Sequence, residues 1–237
     1  MQYQGGKSRI ARQLAEKIRE LHPTATEIWE PFCGGAAITL ALAKAGLKVH
    51  ASDIHPDLIL MWQSVMAGDE SVSVDVSEDD YALWRNAPVS ARRGFVGFGA
   101  SFGGGWFAGF GRGANPNPPQ VECRNFFGKL AKFGGLIDFA CRGYETTPDE
   151  ALVYADIPYI GTKAYGKSTF DHTAFWQWVR ERQGPTFVSE LVGPVDMHVV
   201  WSKVHKSKMA SNSPMSAPTS SIVHREERLY YWPGRQP

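Results

Sequence analysis

The stretch Glu27-Ile28-Trp29-Glu30-Pro31-Phe32-Cys33-Gly34-Gly35-Ala36, followed by an alanine-rich run ended by Gly46 and then by Lys48-Val49-His50-Ala51-Ser52-Asp53, decides the fold. It reads as a strand, a glycine turn, a helix, a second strand and an acid at that strand's tip. Gly34 and Asp53 are 19 positions apart, the interval at which nucleotide-binding α/β folds place an acid for ribose hydroxyls. The spacing favours an adenosine-containing cofactor. The glycines do not spell Gly-x-Gly-x-x-Gly, which argues against a dinucleotide and against a dehydrogenase. Asp53 also stands where an N-cap would, because Ile54-His55-Pro56 leads into the helical pattern Leu58, Ile59, Met61, Trp62 and Val65. Both roles are compatible.

A second strand-to-turn junction lies downstream. Ala151-Leu152-Val153-Tyr154-Ala155 reads as a short buried strand, and Asp156-Ile157-Pro158-Tyr159 follows where the chain leaves the sheet. Open α/β sheets carry their chemistry at such ends. A carboxylate, a backbone carbonyl before proline and an aromatic ring within four residues are what is needed to hold a planar amine such as an adenine or cytosine edge. An ordinary Asx turn closed by proline, with Tyr159 packed on the rim, reads the same residues equally well. At the N-terminus, Tyr3-Gln4-Gly5-Gly6-Lys7-Ser8 precedes Ile10, Leu14, Ile18 and Leu21 at helical spacing, up to His22-Pro23. A lysine near a helix start opposes the macrodipole unless it meets an anion, which a ligand carboxylate or phosphate would supply. A flexible turn with a solvated lysine is the alternative. The longer glycine spacing of a Walker loop is missing.

With 237 residues, 43% hydrophobic and 21% charged, the chain suits one large α/β domain with a smaller lobe. A net charge of +1 excludes a field that is basic everywhere but allows a local patch. Residues 85 to 145 hold Arg85, Arg92, Arg93, Arg112, Arg124, Lys129, Lys132 and Arg142 against Glu122, Asp138 and Glu145. That segment faces a polyanion or is a solvated loop region. Within it, glycines from Gly94 to Gly113 are threaded with Phe95, Phe98, Phe102, Trp106, Phe107 and Phe110. This reads as a loop-rich surface without a regular core helix, offering rings for wedging or stacking and arginines for phosphate; rings packed on the main domain are the other reading. Cys33, Cys123 and Cys141 show neither a disulfide framework nor zinc spacing, and a reducing compartment fits. No run approaches the ~20 apolar residues of a membrane span, so a soluble, cytoplasmic protein is expected.

The remaining pattern predicts short helices from about Ser77, from Arg124 to Phe133 and from Ala174 to Arg182. Phe175, Trp178 and Val179 form a core face on the last. Strands are expected at 137–141, 186–190, 199–202 and 228–232. Gly161-Thr162 and Tyr165-Gly166 read as a mobile loop, and the serine-rich residues 206–227 as a flexible one. His172 and His198 have no partner at ligand spacing.

Together these motifs resemble the Dam-type DNA adenine methyltransferases (D12 class, alpha group) of bacteria and phages. Tyr3-Gln4-Gly5-Gly6-Lys7 is similar to that family's N-terminal cofactor motif, and Glu30-Pro31-Phe32-Cys33-Gly34-Gly35-Ala36 to its glycine motif. Ala51-Ser52-Asp53-Ile54 resembles its ribose motif. Asp156-Ile157-Pro158-Tyr159 resembles its Asp-Pro-Pro-Tyr tetrad, with Ile157 where the family has proline. Isoleucine retains the backbone carbonyl and loses the fixed φ. The order of motifs agrees as well.

The resemblance implies an α/β fold: a Rossmann-like S-adenosylmethionine-dependent methyltransferase domain, residues 1–70 and 151–237, with a small target-recognition insert at 71–150. It implies catalysis by Asp156, Ile157, Pro158 and Tyr159. Tyr3, Gly6, Lys7, Glu30, Phe32, Gly34, Asp53 and Asp156 would bind the cofactor, S-adenosylmethionine, which leaves as S-adenosylhomocysteine; Tyr3 and Lys7 would serve its methionine end. Arg92, Arg93, Trp106, Arg112 and Arg124 would bind DNA. The implied partner is double-stranded DNA, with no metal and no membrane, a monomeric state, and room for a cognate restriction endonuclease. In the family mechanism a flipped adenine gives the hydrogens of its amine to the carboxylate and the next carbonyl, while the tyrosine stacks on the ring. An RNA methyltransferase or a catalytically silent DNA- or cofactor-binding relative are the alternatives. A protein-glutamine methyltransferase fits less well, given the long insert and the leading N-terminal motif.

Overall fold

The structure is a computed structural model that describes residues 1–112, 118–159, 170–208 and 222–235. Helix α1 (Ala11–Leu21) buries the stripe Ala11, Leu14, Ala15 and Ile18 and stops at His22, before Pro23. Strand β1 (Glu27–Glu30) runs through the glycine turn into α2 (Ala37–Lys44). Gly46, at φ 82°, turns the chain into β2 (Lys48–Asp53). Next is α3 (Pro56–Met66), with proline in its first turn and His55 at the N-cap. Asp53 is therefore not the cap of α3, which corrects one of its two expected roles. The chain continues through α4 (Glu78–Trp84), α5 (Ala91–Gly94), α6 (Pro118–Leu130) and β3 (Ile137–Cys141). It closes with β4 (Val153–Asp156), α7 (His172–Glu181), β5 (Thr186–Glu190), β6 (His198–Lys208) and β7 (Ile222–Trp232).

The seven strands form one sheet in the order β3-β2-β1-β4-β5-β7-β6. The first five are parallel to one another, and β7 is antiparallel to both β5 and β6. This is the Rossmann-like α/β architecture expected. Strand order reverses between β1 and β4, and the crevice outside the carboxyl ends of such a pair is where open α/β sheets bind ligands. Glu30 ends β1 and Asp156 ends β4. Alternation along β4 sends Tyr154 to one face of the sheet, in the larger core with Leu14, Ile18, Leu42 and Trp62. Val153 and Ala155 go to the other face, with Phe175, Trp176 and Val179 of α7.

Three expectations are corrected. The glycine-aromatic stretch is not a loop-rich surface: α5 continues into a π-helical segment, Phe95–Gly99, and Phe95, Val96, Phe98 and Phe107 are buried. The glycines serve close packing. A Cβ on Gly94 would lie 2.2 Å from the Asp57 carbonyl oxygen, and one on Gly97 would lie 2.2 Å from the Trp106 ring. Second, the stretch 71–150 is not wholly separate from the main sheet, because β3 pairs with β2 as the edge of that sheet. The core is also continuous from the sheet into Phe95, Phe127 and Leu130. Third, residues 206–227 are not wholly a loop, since β6 runs to Lys208 and β7 starts at Ile222. The mobile loop expected at 161–166 lies outside the described residues.

Cys33 and Cys123 are buried free thiols and Cys141 is an exposed one. Among the described residues no helix is long and apolar enough to cross a membrane, and no group of His, Cys, Asp and Glu is placed to hold a metal ion.

Candidate active site

The glycine turn after β1 is held from three sides. The Gly34 N–H donates to Asp53 Oδ2 at 3.1 Å, and its carbonyl accepts from Trp62 Nε1 at 3.0 Å. Asp53 Oδ1 also accepts the His55 N–H at 3.0 Å. Gly34 sits at φ 44°, where side chains are strained. Tyr3 lies directly on the turn: a Cβ on Gly34 would fall 2.7 Å from its Cε1, and one on Gly35 would fall 2.5 Å from its Cβ. Gly6 closes the N-terminal turn by donating its N–H to the Tyr3 carbonyl at 2.8 Å. These glycines are needed so that two backbone segments and one ring can share a small space. Burial pushes the Asp53 carboxyl up, while the N–H groups of His55 and Gly34 draw it back toward the ionised form.

Lys7 joins this turn to the second junction. Its side chain is 6% exposed, and its Nζ lies 2.7 Å from Asp156 Oδ1 and 3.1 Å from Glu227 Oε1. It also sits 4.4 Å from the centroid of the Tyr159 ring, a cation-π distance, and the Tyr159 hydroxyl donates to the same Glu227 oxygen. Burial alone would lower the lysine, but Asp156 and Glu227 overcome it and hold the ammonium form. Burial raises the Asp156 carboxyl; Lys7 pulls it back without cancelling the effect, and Glu227 adds to the rise. The expectation that Lys7 needs an anion holds. The anions are the protein's own, Asp156 and Glu227.

Glu227 was not anticipated. It falls in the serine-rich stretch read as a loop, and only the antiparallel return of β7 brings it to this end of the sheet. Asp156 aligns with Ser189 and Ser189 with Leu229, so Glu227, two residues before Leu229, projects beside the end of β4. The available signal was Glu227 in alternation with Leu229 ahead of Tyr230-Tyr231-Trp232.

Glu30 is 1% exposed and accepts the Thr39 hydroxyl at 2.6 Å. Burial holds its carboxyl well above the ordinary range; the Thr39 hydrogen bond opposes this, and Asp156 and Asp53 reinforce it. Phe32 stacks on Tyr144 at 5.6 Å and meets Phe170 and Phe175 edge-on, so its ring belongs to the α7 side of the sheet. Ile157 is 2% exposed in that same cluster. Burial of its side chain constrains the backbone that proline would otherwise stiffen. Pro158 and Tyr159 are half-buried after it.

The four arginines expected at DNA each have a partner within the protein. Arg92 donates to the carbonyls of Val72, Val74 and Asp75. Arg93 pairs with Asp57 at 3.1 Å, donates to the Arg85 carbonyl and lies 5.1 Å from the half-buried Trp106 ring. Arg124 pairs with Asp75, and Arg112 with Glu78, each at 2.6 Å. Of these, Arg112 is the most open, its side chain 80% exposed.

Two solved structures similar to this chain are a protein from Pyrococcus horikoshii described as an RNA methyltransferase and an rRNA methylase from Streptococcus thermophilus. The first is 8% identical, with 95% of this chain and 84% of that one covered, at a TM-score of 0.47. The second is 11% identical, with 92% and 93% covered, at 0.34. A third, described as a methyltransferase complexed with SAH, is 11% identical, with 98% and 55% covered, at 0.37. No curated protein matches. Residues 3–96, which carry Tyr3, Lys7, the glycine turn and Asp53, match the model of the D12 class N6 adenine-specific DNA methyltransferase family, in keeping with a Dam-type enzyme.

Proposed function

We propose that this chain is an S-adenosylmethionine-dependent methyltransferase acting on the exocyclic amine of adenine in duplex DNA. The observation that carries the reading is the meeting of Asp156, at the end of β4, with Lys7 of the N-terminal motif. That motif also lies on the glycine turn tied to Asp53.

The residues fit the cofactor. Asp156 and Glu227 share one ammonium, Lys7, and Glu30 lies close enough to Asp156 and Asp53 to feel both, so the crevice has an excess of carboxyl groups that suits a cationic ligand. A carboxylate has about four acceptor positions. Asp53 uses two on Gly34 and His55, which leaves capacity for ribose hydroxyls. Tyr3 and the glycine turn would hold the rest of the molecule. When bound, the cofactor supplies an electrophilic methyl group on a sulfonium.

The chain's own work is on the amine. Its lone pair is delocalised into the adenine ring, and acceptance of its two hydrogens by Asp156 and the Ile157 carbonyl draws the nitrogen toward a tetrahedral, nucleophilic form. Each preorganised group of this kind is typically worth about 3 to 4 kcal/mol. Extruding the base costs a few kcal/mol, and stacking on Tyr159 would return about 1 to 3 kcal/mol. On the insert an open groove of about 780 Å³ is lined by Tyr81, Arg85, Phe102, Phe110 and Arg112. Phe102 is 75% exposed there beside the Arg112–Glu78 ion pair, a ring suited to base contact.

The test is transfer of a tritiated methyl group to unmethylated duplex DNA, with RNA of the same sequence alongside. Label in DNA adenine, lost at least 100-fold in Asp156→Ala, is expected. Label confined to RNA, or no label from the wild-type chain, overturns the assignment.

A further inference from the structure

Asp156 faces a conflict if the proposed function holds. It must accept the hydrogens of a neutral amine, yet a buried ammonium already sits 2.7 Å from its Oδ1. An ammonium is the stronger donor and, held on Oδ1, draws the carboxylate's negative charge toward itself, which weakens the carboxylate as an acceptor for the amine although other acceptor positions remain. Expelling Lys7 into an empty interior would be prohibitive, because an unpaired buried charge is strongly disfavoured. The lysine therefore needs a second anion close enough to take it without leaving the site. Glu227 Oε1 is 3.1 Å from the same Nζ, only 0.4 Å farther than Asp156.

We propose that Glu227 is a positioning residue for methyl transfer: it draws the Lys7 ammonium off Asp156 when the amine arrives, and anchors Tyr159 through the tyrosine hydroxyl. This rests on the methyltransferase reading above. Nothing is exchanged covalently. The ammonium shifts its shorter contact from one carboxylate to the other, and the charge of the group is unchanged. β7 is a rigid mount for this purpose, since Glu227 is paired in register with Lys203 of β6. Tyr159 is fixed by the same oxygen, so the ring meant for the base and the cation beside it are set by one side chain.

The test measures kcat and KM for duplex DNA, cofactor affinity by calorimetry and the thermal midpoint, in the full chain. Wild-type transfer is established first; its failure refutes the methyltransferase reading and not this inference alone. Glu227→Gln keeps an acceptor for the Tyr159 hydroxyl and loses the charge. It should lower kcat at least tenfold, with KM and cofactor affinity within twofold of wild type. Glu227→Asp keeps the charge at shorter reach and should lose at least threefold but less than the glutamine variant.

The diagnostic arm is Lys7→Met. With the ammonium gone, Asp156 and Glu227 face each other as like charges, so Glu227→Gln should raise kcat in that background. A kcat within twofold of wild type for Glu227→Gln overturns the proposal. So does an equal loss in the aspartate and glutamine variants, or a fall in the Lys7→Met background. If Glu227→Gln does not fold, Glu227→Asp decides: unchanged kcat overturns, and a threefold or larger loss with KM and cofactor affinity held supports.

Discussion

Replacing Lys7 with methionine should move the pH dependence of catalysis. The side chain is buried, and methionine fills much of the same volume without charge. Asp156 and Glu227 then lose the cation that lies 2.7 and 3.1 Å from them, and their oxygens stand within about 6 Å of each other. Two unit charges at that separation and an effective dielectric of about 20 repel by roughly 3 kcal/mol, a repulsion that Lys7 offsets in the wild-type chain and that the variant leaves unopposed. Asp156 is already raised by burial, and Lys7 is what draws it down. Loss of the lysine leaves it protonated over a wider range, and a protonated carboxyl is a poorer acceptor for an amine hydrogen. The acidic limb of the kcat profile should therefore move to higher pH, with recovery at alkaline pH. Stability follows the same sign. A carboxyl whose folded pKa is raised contributes stability that is present below its unfolded value and lost as pH rises through the folded value. The thermal midpoint of Lys7→Met should thus fall below wild type by more at pH 8 than at pH 5. A single-turnover profile whose acidic limb coincides with wild type would refute the reasoning.

Other residues give independent checks. Glu30 is raised well above the ordinary carboxyl range by burial; its stabilising effect is complete below about pH 4.5, the unfolded value, and is lost as pH rises toward the folded one. Glu30→Gln should flatten that decline, so the midpoint difference between variant and wild type should grow with pH above 4.5; a constant difference contradicts this. Ile157→Ala removes a side chain buried in the α7 cluster and should cost about 2 to 5 kcal/mol with a loss of kcat; wild-type stability in denaturant would show that the isoleucine does not brace the turn. Asp53→Ala removes the acceptor of two backbone N–H groups and should weaken cofactor binding about 10- to 100-fold by calorimetry, the range for hydrogen bonds to a charged group. Unchanged affinity would confine Asp53 to a structural role.

What was legible in the sequence was local. Gly34 and Asp53 declare a turn and an acid because the strand-helix-strand unit between them has nearly fixed length, and the structure joins them by a direct hydrogen bond. Lys7 declared a need for an anion through its position before a helix, but its partners lie 149 and 220 residues away in sequence and only tertiary structure names them. The glycines of 94–99 were misread because the same residue marks loops and close packing. Asp57, Met61 and Trp106, which demand the space, come from other parts of the chain. Arg92 and Arg93 looked like phosphate ligands because charge counting does not reveal internal carbonyls and Asp57 as partners. Glu227 was hidden for a third reason: the strand that carries it extends farther toward the serine-rich segment than its apolar residues mark.

In the proposed function the carboxylate at the end of β4 activates an adenine amine for methylation. The most direct test of that function is base-resolved mapping of N6-methyladenine in DNA from cells expressing the chain, beside cells expressing Asp156→Ala. The account predicts methylated adenines in a recurring sequence context with the wild-type chain and none above background with the variant. DNA free of methyladenine in cells holding folded, soluble wild-type protein, or equal methylation by the variant, would contradict it.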